Sequence, residues 1–549
     1  MTVGSNKFVI SVGIDFGTSS SGCSYAYMDD AAVTVIDIPD RARNIKTPTQ
    51  SLYRKNTKEF VCCGFKAVKQ GNRHETGYDL ITNVKMALNS RSKDPKSSKH
   101  SLETVDVIRD YFRNYYIQIM KYLKSKDPSL NDPSRFRYCL TVPNLYSDNA
   151  RLIMRRAVIE AGIVKKDDIC DQLLIINESE AAGLWCEHIS PNLDLTHDKY
   201  FMVCDAGGYS VDVSVLQIDT SSGKSFREVI ASSGSFCGSM CLDDCMERLL
   251  RNRLYLRDTS NKHIKRLMDE FVNTIKPEFD GTQNVQLTLP EELRLIFDPM
   301  AEIGEGKLYI SVREMKEDVF DPIIRHVIHL IRDQFKKMRN KHIHVMFVTG
   351  GFGESPYLTH RIKEAFESRL DFLHFLREKD GAVRRGAALF GLNPEVIDQR
   401  ILQRTYGFNS VIKDGFTKRN CFTIWARKGQ PIRENMWIEG WTSWVRGKFD
   451  LSISIALYSY DGDEPVKMYK PQGAKLVAKF DTQFRIALKP GKDRANLNIF
   501  IRFCLGNIRV KVNIIDKTYT YPPQYYDNEL LSPEQNLDSS GPHLHIDIR

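Results

Sequence analysis

The sequence predicts an α/β domain that is followed by a separate β-rich domain. Up to about Pro394, short apolar runs that suit buried strands alternate with amphipathic helical patterns and Gly-rich turns. Beyond that point the dominant pattern is strict alternation of apolar and polar residues, which is typical of half-buried strands. We therefore predict domains at 1–395 and 396–524, and a polar tail at 525–549 that we expect to be mobile.

The composition is that of an ordinary globular chain of 549 residues, enough for about three to four domains or lobes. Hydrophobic residues make up 42% and charged residues 27%, which excludes a mainly disordered chain, a collagen-like fibre and a small disulfide scaffold. The net charge of +9 is a mild bias over this length, so we predict a basic surface and no nucleic-acid partner.

We expect the chain to stay in the cytoplasm or the nucleus. No apolar run approaches the roughly 18 residues that span a bilayer, and Met1 to Lys7 lack the pattern of a signal peptide. The twelve cysteines are then expected to be reduced. The spacing of Cys237, Cys241 and Cys245 does not match a zinc site, so we interpret them as free thiols.

The α/β domain begins with a strand and a loop of small residues. Residues 8–14 form an apolar run that ends at Asp15 and the loop 17–22. Residues 23–27 are strand-like again, so the first Gly loop joins two strands. A helix follows at 103–124, where apolar residues recur at helical spacing.

A strand at 136–142 is followed by a helix that Ser147 caps and Gly162 stops. Residues 201–218 contain a strand, a tight Asp-Ala-Gly-Gly turn and a second strand. Further helical patterns and one strand complete this domain; they lie at 242–256, 319–335 and 345–349. That last strand leads into Gly350-Gly351-Phe352-Gly353, and Ser355-Pro356 opens a helix.

The β-rich domain carries two hairpin signals. Residues 451–460 alternate strictly and meet the turn 461–463, and strands at 497–503 and 508–514 flank Gly506-Asn507.

Four of the five tryptophans crowd into twenty residues of the same domain, namely Trp425, Trp437, Trp441 and Trp444. They form either part of the domain's core or an aromatic surface for an extended peptide or for the first domain.

Three Gly-rich turns each follow a strand, and none matches the P-loop or the GxGxxG pattern. Two of them carry an aspartate at the strand's end, Asp15 and Asp205, with small or hydroxyl residues after it. Glycine N–H groups form anion nests, and such a carboxylate holds a hydrated magnesium ion. Two hairpins of this kind facing each other would clamp a polyphosphate. The third loop meets a helix N-terminus, which suits an adenosine ribose or phosphate.

These motifs resemble those of a known superfamily. VGIDFGTSSS, VCDAGGYSVDVS and FVTGGFGESPYL resemble, in this order, the two phosphate motifs and the adenosine motif of the actin, sugar-kinase and 70-kDa heat-shock ATPases. VPNLYSDNARLIMRRAVIEAGI, LLIINESEAAGLW, NVKMAL and GAVRRGAALFGL resemble further heat-shock-family segments. The resemblance covers about 7–395, is strongest to the divergent, lid-lacking branch found in fungi and animals, and implies a two-lobed, actin-like (ribonuclease H-like) ATPase domain.

The resemblance also implies a role for each matched residue. Asp15 and Asp205 would hold Mg²⁺ through its water shell, and Lys85, Glu178 and Asp205 would position and polarise the attacking water. Asp212 would support its loop or help to bind K⁺. The residues that would bind nucleotide are Gly17, Thr18, Ser19, Ser20, Gly207, Gly208, Tyr209 and Gly238 around the phosphates, and Gly350, Gly351 and Phe352 around the adenosine.

The chain departs from the family pattern at several positions. Tyr209 replaces the usual third glycine of the second phosphate loop, and we expect its bulk to narrow the site. Glu354 stands where typical members have an arginine that stacks on adenine. Lys276 is a weak candidate for an adenine contact. Between Leu392 and Arg404 the acidic, leucine-rich interdomain linker is missing, so we do not expect the usual interdomain or J-domain coupling.

The leading hypothesis is an ATP-binding, slowly hydrolysing, Mg²⁺-dependent chaperone-like ATPase whose lobes close around nucleotide. Its partners would be ATP or ADP, unfolded or peptide clients, and co-chaperones. One alternative is a nucleotide-locked scaffold with negligible hydrolysis. The other is a small-molecule kinase, which the heat-shock-like segments NESEAAG and GGFGESPYL disfavour.

Overall fold

The computed structural model describes the chain in two compact units. The second unit consists of residues 225–231 and 395–549, and the first of the remaining residues up to 394. Within the described residues, no helix is both long and apolar enough to cross a membrane. The described residues are 7–40, 44–71, 77–88, 102–165, 171–193, 195–221, 223–254, 262–291, 293, 303–304, 306–339, 341–377, 381–414, 417–433, 436–446, 449–462, 473–486, 494–504, 507–514, 517–521 and 545–548.

Strands and helices alternate through the first unit, and strands dominate the second. The strands are β1 (Ile10–Phe16), β2 (Ser20–Tyr27), β3 (Ile36–Asp37), β4 (Lys46–Pro48), β5 (Ser51–Arg54), β6 (Phe60–Cys63), β7 (Tyr78–Ile81), β8 (Phe136–Val142), β9 (Leu173–Asn177), β10 (Tyr200–Ala206), β11 (Val211–Asp219), β12 (Ser225–Glu228), β13 (Ser233–Ser235), β14 (Val285–Thr288), β15 (Ile303–Gly304), β16 (Lys307–Ile310), β17 (Ile343–Thr349), β18 (Phe372–Phe375), β19 (Ile397–Ile401), β20 (Thr405–Asp414), β21 (Thr417–Ala426), β22 (Pro431–Arg433), β23 (Ile438–Arg446), β24 (Phe449–Tyr460), β25 (Lys475–Ile486), β26 (Arg494–Cys504), β27 (Asn507–Ile514), β28 (Lys517–Tyr521) and β29 (His545–Ile548). The α-helices are α1 (Phe65–Gly71), α2 (Thr104–Lys126), α3 (Asp148–Glu160), α4 (Glu178–His188), α5 (Met240–Arg253), α6 (Lys262–Glu270), α7 (Lys276–Glu278), α8 (Val312–Glu314), α9 (Asp321–Met338), α10 (Pro356–Phe366) and α11 (Ala382–Leu392).

The first unit contains two mixed sheets with the same local order. In one, β1 and β2 form an antiparallel hairpin, β8 runs parallel to β1, and β9 runs parallel to β8. In the other, β10 and β11 form the hairpin, and β17 and β18 continue in parallel. Both turns that carry the predicted phosphate motifs therefore lie at equivalent positions of two similar sheets. The sequence shows no repeat at a fixed period, so it did not predict the similarity of the two sheets.

Helix α11 packs at unusually close range against helix α4 and strand β1. A Cβ on Gly386 would lie 1.6 Å from the carbonyl oxygen of Ala181, and a Cβ on Gly13 would lie 2.3 Å from that of Arg384. The Arg384 guanidinium also donates to Asp37 at 2.9 Å. Glycine is required at both positions because any side chain would collide with backbone. Helices α2 and α3 share one hydrophobic core with strands β1 and β8.

The second unit is β-rich, as the alternating pattern predicts. Its two main sheets have the orders β21-β20-β24-β25 and β23-β26-β27-β28. Strand β24 (Phe449–Tyr460) contains the alternating run 451–460. The hairpin predicted around Gly506-Asn507 is present, because Cys504 pairs with Asn507 at the end of β26 and β27.

Two of the clustered tryptophans have described side chains. Trp425 is buried and packs on Phe408 with ring centroids 4.6 Å apart, as expected for a core residue. Trp437 is half-buried, with the Lys511 ammonium 4.8 Å from its ring centroid. The side chains of Trp441 and Trp444 lie outside the described part.

A short part of the C-terminal tail forms a strand. Residues 545–548 form β29, which pairs antiparallel with Leu451–Ser454 of β24. The rest of the predicted tail, 525–544 and 549, lies outside the described residues.

Candidate functional site

The two hairpin turns of the first unit face each other. The first turn follows β1 and contains Ser19, which is exposed, and Thr18, which is buried. The second turn follows β10 and contains Gly208. A Cβ built on Gly208 would lie only 3.2 Å from the Ser19 hydroxyl oxygen. The loops that the sequence singles out as phosphate motifs are therefore neighbours, and a side chain at position 208 would press on the opposite loop.

Helix α5 holds the second turn from behind. The backbone N–H groups of Ser239 and Met240 donate to the carbonyls of Gly207 and Gly208, at 3.1 and 2.8 Å, and Gly238 N–H donates to the carbonyl of Tyr209 at 3.0 Å. In a trans peptide the N–H points away from the C=O. The N–H groups of Gly208 and Tyr209 therefore point away from α5, which is the arrangement of an anion nest.

Gly238 supports this turn at close range. A Cβ at Gly238 would lie 2.5 Å from the backbone of Gly208, so a larger residue would displace the turn. The structure places Gly238 behind the phosphate loop, in contact with its carbonyl side.

The third Gly loop passes over Asp205. Strand β17 ends at Thr349 directly beside Asp205 of β10. Gly350 follows with φ of +87°, and a Cβ there would lie 2.7 Å from Oδ1 of Asp205. Gly351 is exposed, whereas Phe352 is buried with 2% of its surface exposed. A ligand in this loop therefore meets the backbone of Phe352 and not its ring.

Four carboxyl groups gather beneath the turns. Asp15 is the next-to-last residue of β1, Glu178 is the first residue of α4, and Asp205 lies opposite Asp212 in the β10–β11 hairpin. Burial raises the pKa of Asp205 well above its usual range, and the negative charges of Glu178, Asp212 and Asp15 raise it further. Burial also raises the pKa of Glu178. The pocket thus holds an excess of negative charge that a cation would relieve.

Lys85 provides a buried positive charge in this pocket. Its Nζ lies 2.5 Å from Oε1 of Glu178, and the two side chains are 3% and 10% exposed. The short 3₁₀ turn Val84–Leu88 that carries it is anchored by Tyr146, whose hydroxyl donates to the Lys85 carbonyl at 2.8 Å. A lone lysine is usually a surface residue, so this burial marks Lys85 as a functional candidate.

Asp212 has one carboxylate oxygen to spare. Its Oδ1 accepts from the Asn144 N–H at 3.0 Å, while its Oδ2 is buried and has no hydrogen-bond partner in the described structure. Burial, followed by the charge of Glu178, raises the pKa of Asp212 to about 7. Around it, Asn144, Ser179 and Ser214 join their side chains through hydrogen bonds of 2.6 to 3.2 Å. A monovalent cation would find an unused buried oxygen here.

The pocket's donor set fits a hydrated magnesium ion. Within the described residues, one group of three His, Cys, Asp or Glu side chains has its ligand atoms within 4.8 Å of one another. This group lies outside the pocket, at His342, His344 and Asp371. Among the described residues, no three of Asp15, Glu178, Asp205 and Asp212 form such a group. Magnesium prefers oxygen ligands and keeps several of its waters, so well-separated carboxylates suit it.

Comparisons with known proteins show what the chain resembles. A family described as "Domain of unknown function (DUF8340)" matches residues 195–371. Human Heat shock 70 kDa protein 12A is 25% identical, over 85% of this chain and 80% of its own length. Human Heat shock 70 kDa protein 12B is 24% identical, over 73% and 71%. Chaperone protein DnaK of Thermosipho melanesiensis is 26% identical, over 66% and 56%.

The chain is similar to the 70-kDa heat-shock proteins. The resemblance inferred from the motifs is confirmed, and so is the fold class, an α/β actin-like domain with a β-rich region after it. The similarity to human Heat shock 70 kDa protein 12A covers 85% of the chain, which is more than the α/β unit alone.

The structure describes the side chains at the departures that the resemblance predicted. Lys276, the candidate adenine contact, is held in an ion pair with Asp243 at 2.7 Å. Glu354, predicted to replace a base-stacking arginine, is exposed. Tyr209 is 9% exposed and packs on Phe236 with ring centroids 4.8 Å apart. Most of the Tyr209 side chain therefore lies within the wall of the site.

Sequence reasoning missed some residues of this heat-shock-70-like pocket. Asn144 and Tyr146 belong to the segment VPNLYSD, where polar residues directly after a strand were a usable signal. Lys46, whose charge lowers the pKa of Asp205, carries no comparable signal because it lies on the edge strand β4 far along the chain. Ser214 in β11 looks like any small strand residue.

Proposed function

We propose that the chain is a Mg²⁺-dependent ATPase of the chaperone kind, which hydrolyses ATP slowly and closes its lobes around the nucleotide. One observation carries the proposal: two facing hairpin turns lie above the buried group of Lys85, Glu178 and Asp205. The similarity to heat-shock and DnaK proteins supports nucleotide binding and a chaperone-like ATPase at the level of the family.

The turns would bind the β- and γ-phosphates from two sides. On one side, the N–H groups of Gly208 and Tyr209 point away from α5 and donate to phosphate oxygens. On the other side, the hydroxyls and N–H groups of Thr18, Ser19 and Ser20 donate. Gly17 and Gly207 allow the tight turns that bring these donors together. Positioning of this kind supplies most of the catalysis in phosphoryl transfer.

Asp15 and Asp205 would hold Mg²⁺ through its water shell. The bound ion supplies positive charge that neutralises the phosphates and favours ionised carboxylates nearby. Asp212, with its spare oxygen, would hold K⁺.

The attacking water would lie between Lys85, Glu178 and Asp205. Lys85 donates to Glu178, which fixes that carboxylate and leaves its second oxygen to accept from water. Burial and the neighbouring carboxylates raise the pKa of Asp205, which makes its carboxylate a better proton acceptor than an exposed one.

The adenosine would lie over Gly350 and Gly351 and along the backbone of Phe352. Lys276 is engaged with Asp243, and Glu354 offers no cation to stack on the base. We therefore propose that binding energy comes mainly from the phosphates, with weak discrimination between bases.

The β-rich unit would recognise unfolded or peptide clients, and the chain would act in the cytoplasm or nucleus with co-chaperones. We assign the nucleotide-binding domain to 1–395 and the client or partner domain to 396–524. The missing linker between Leu392 and Arg404 supports a coupling between them that differs from the usual one.

A nucleotide-locked scaffold is the second candidate function. Glu354 and the missing linker between Leu392 and Arg404 favour it, because both depart from the pattern of a cycling family member. Retention of the buried Lys85–Glu178 pair favours hydrolysis.

Steady-state ATP turnover distinguishes the two. The purified chain is assayed with Mg²⁺ and K⁺ beside Asp205→Asn, and ATP binding is titrated for both. The matched control is Asp198→Asn, which changes an exposed aspartate just before β10. Slow turnover that Asp205→Asn abolishes while Asp198→Asn keeps it supports the ATPase. ATP binding without turnover in any of the three supports the scaffold.

A further inference from the structure

Two histidines and an aspartate meet at the end of β17 that lies opposite the Gly350 loop. His342 precedes β17 and His344 is its second residue, so the two lie on the same face of the strand. Asp371 precedes β18, the parallel neighbour, and its N–H donates to the His344 carbonyl at 2.9 Å. The parallel pairing thus brings together three side chains that sequence reasoning did not connect.

The three side chains offer ligand atoms at close range. All of these atoms lie within 4.8 Å of one another, and His342 Nε2 is 2.9 Å from Asp371 Oδ1. The imidazole rings of His342 and His344 have centroids 4.8 Å apart at 71°. His342 and Asp371 are 51% and 48% exposed, so an ion reaches them directly from solvent.

Neutral imidazole and ionised carboxylate are the side-chain forms that ligate zinc. One contact within the structure competes with an ion for the ring of His344. The Tyr200 N–H contacts His344 Nδ1 at 3.4 Å, which is too long to be a strong competitor.

We propose that His342, His344 and Asp371 form a binding site for a divalent transition-metal ion, with Zn²⁺ as its occupant. Two imidazole nitrogens and one carboxylate oxygen suit zinc, and solvent completes the coordination. The site is separate from the nucleotide pocket, because the seven residues of β17 span roughly 20 Å. Lys199 adds repulsion, so we expect affinity of about micromolar rather than nanomolar strength.

Calorimetric titration of the chelator-stripped full chain with Zn²⁺ tests the proposal. We compare the wild type, His342→Gln, Asp371→Asn and the double variant. His374→Gln is the matched control, since His374 lies on β18 with its ring near Phe347 and outside the cluster. We expect about one Zn²⁺ per chain for the wild type and for His374→Gln, and at least tenfold weaker binding for each cluster variant. Equal Zn²⁺ affinity in all variants, or no Zn²⁺ binding below about 100 μM, would overturn the proposal.

Absorption of the Co²⁺-loaded wild type gives an independent reading, which does not depend on any variant folding. The chain has twelve cysteines, and thiolate ligands give strong near-ultraviolet charge-transfer bands. A nitrogen and oxygen site gives only weak visible bands, and this is the result we expect. Strong thiolate bands at one equivalent of Co²⁺ would place the ion elsewhere and contradict the proposal.

Discussion

The ammonium nitrogen of Lys85 lies 2.5 Å from Oε1 of Glu178, although the residues are 93 positions apart in the chain. Both side chains are almost completely removed from solvent. A buried pair of this kind costs desolvation energy and is weak evidence for stability alone. The pair lies beneath two facing hairpin turns, where phosphate chemistry needs a fixed pair of charges. We therefore interpret it as functional.

Removing the ammonium group should destabilise the fold strongly. In Lys85→Met, the Glu178 carboxylate is left buried without its cation, and we expect a loss of about 3–5 kcal/mol in the free energy of unfolding. The double variant Lys85→Met, Glu178→Gln should recover part of that loss, because both charges are gone. Denaturant unfolding of the four proteins measures this cycle. Additive losses would show that the two side chains do not interact.

A side chain at position 208 should weaken ATP binding. The Cβ of Gly208→Ala would sit 3.2 Å from the Ser19 hydroxyl and would push the turns apart. We expect about a tenfold weaker affinity for ATP, or about 1.4 kcal/mol, with an unchanged melting temperature. The matched control is Gly77→Ala, where a Cβ meets nothing within 4 Å. Identical ATP affinity in both variants would remove the second turn from the binding site.

Asp212 should make stability depend on pH. Its pKa is about 7 in the folded chain, whereas an aspartate in an unfolded chain has its ordinary pKa of 3.8, so the folded state binds the proton more tightly. The resulting stability is complete below pH 3.8 and is lost as the pH rises through about 7. The pKa difference of about three corresponds to a loss of about 4 kcal/mol.

Asp212→Asn should remove this part of the slope, because the amide does not titrate. Denaturant unfolding between about pH 4 and pH 8 in potassium-free buffer compares the two proteins. The wild type should lose stability relative to Asp212→Asn as the pH rises. Parallel curves would mean that Asp212 is ionised throughout.

Restoring the family's cation beside the base should strengthen nucleotide binding. Glu354 is exposed on the third Gly loop, where an arginine would stack on adenine. We expect Glu354→Arg to raise ATP affinity about threefold to tenfold, while Glu354→Gln, the charge-removing control, changes it little. A competition titration with ATP and GTP measures both. An equal gain for the two variants would trace the effect to the lost negative charge.

Filling the contact between α11 and α4 should be costly. The Cβ of Gly386→Ala would lie 1.6 Å from a backbone carbonyl, which has no side-chain freedom to move aside. We expect a loss of about 3 kcal/mol, at the upper end of overpacking effects. Thermal unfolding beside Gly77→Ala, where there is space, provides the check. Equal melting temperatures would contradict the close packing of these helices.

The sequence predicted the order of strands and turns well, because each Gly loop follows a short apolar run. The motifs around Asp15, Asp205 and Gly350 carried the resemblance that the relatives confirm. Contacts between distant segments could not be predicted from the sequence. Nothing in the sequence pairs Lys276 with Asp243, turns Tyr209 onto Phe236, or brings His342 to Asp371. Such contacts depend on how distant helices, loops and strands pack, and on sheet register, which local patterns do not determine.

The central claim is hydrolysis of ATP between the two turns, and single-turnover kinetics of Glu178→Gln tests it most directly. The wild type and the variant are mixed with labelled ATP and Mg²⁺ at protein excess, and binding is titrated in parallel. The account predicts binding within about threefold of the wild type and a chemical step at least about 100-fold slower, as expected when a positioned acceptor is lost. Hydrolysis at the wild-type rate, or the absence of ATP binding in the wild type, would contradict it.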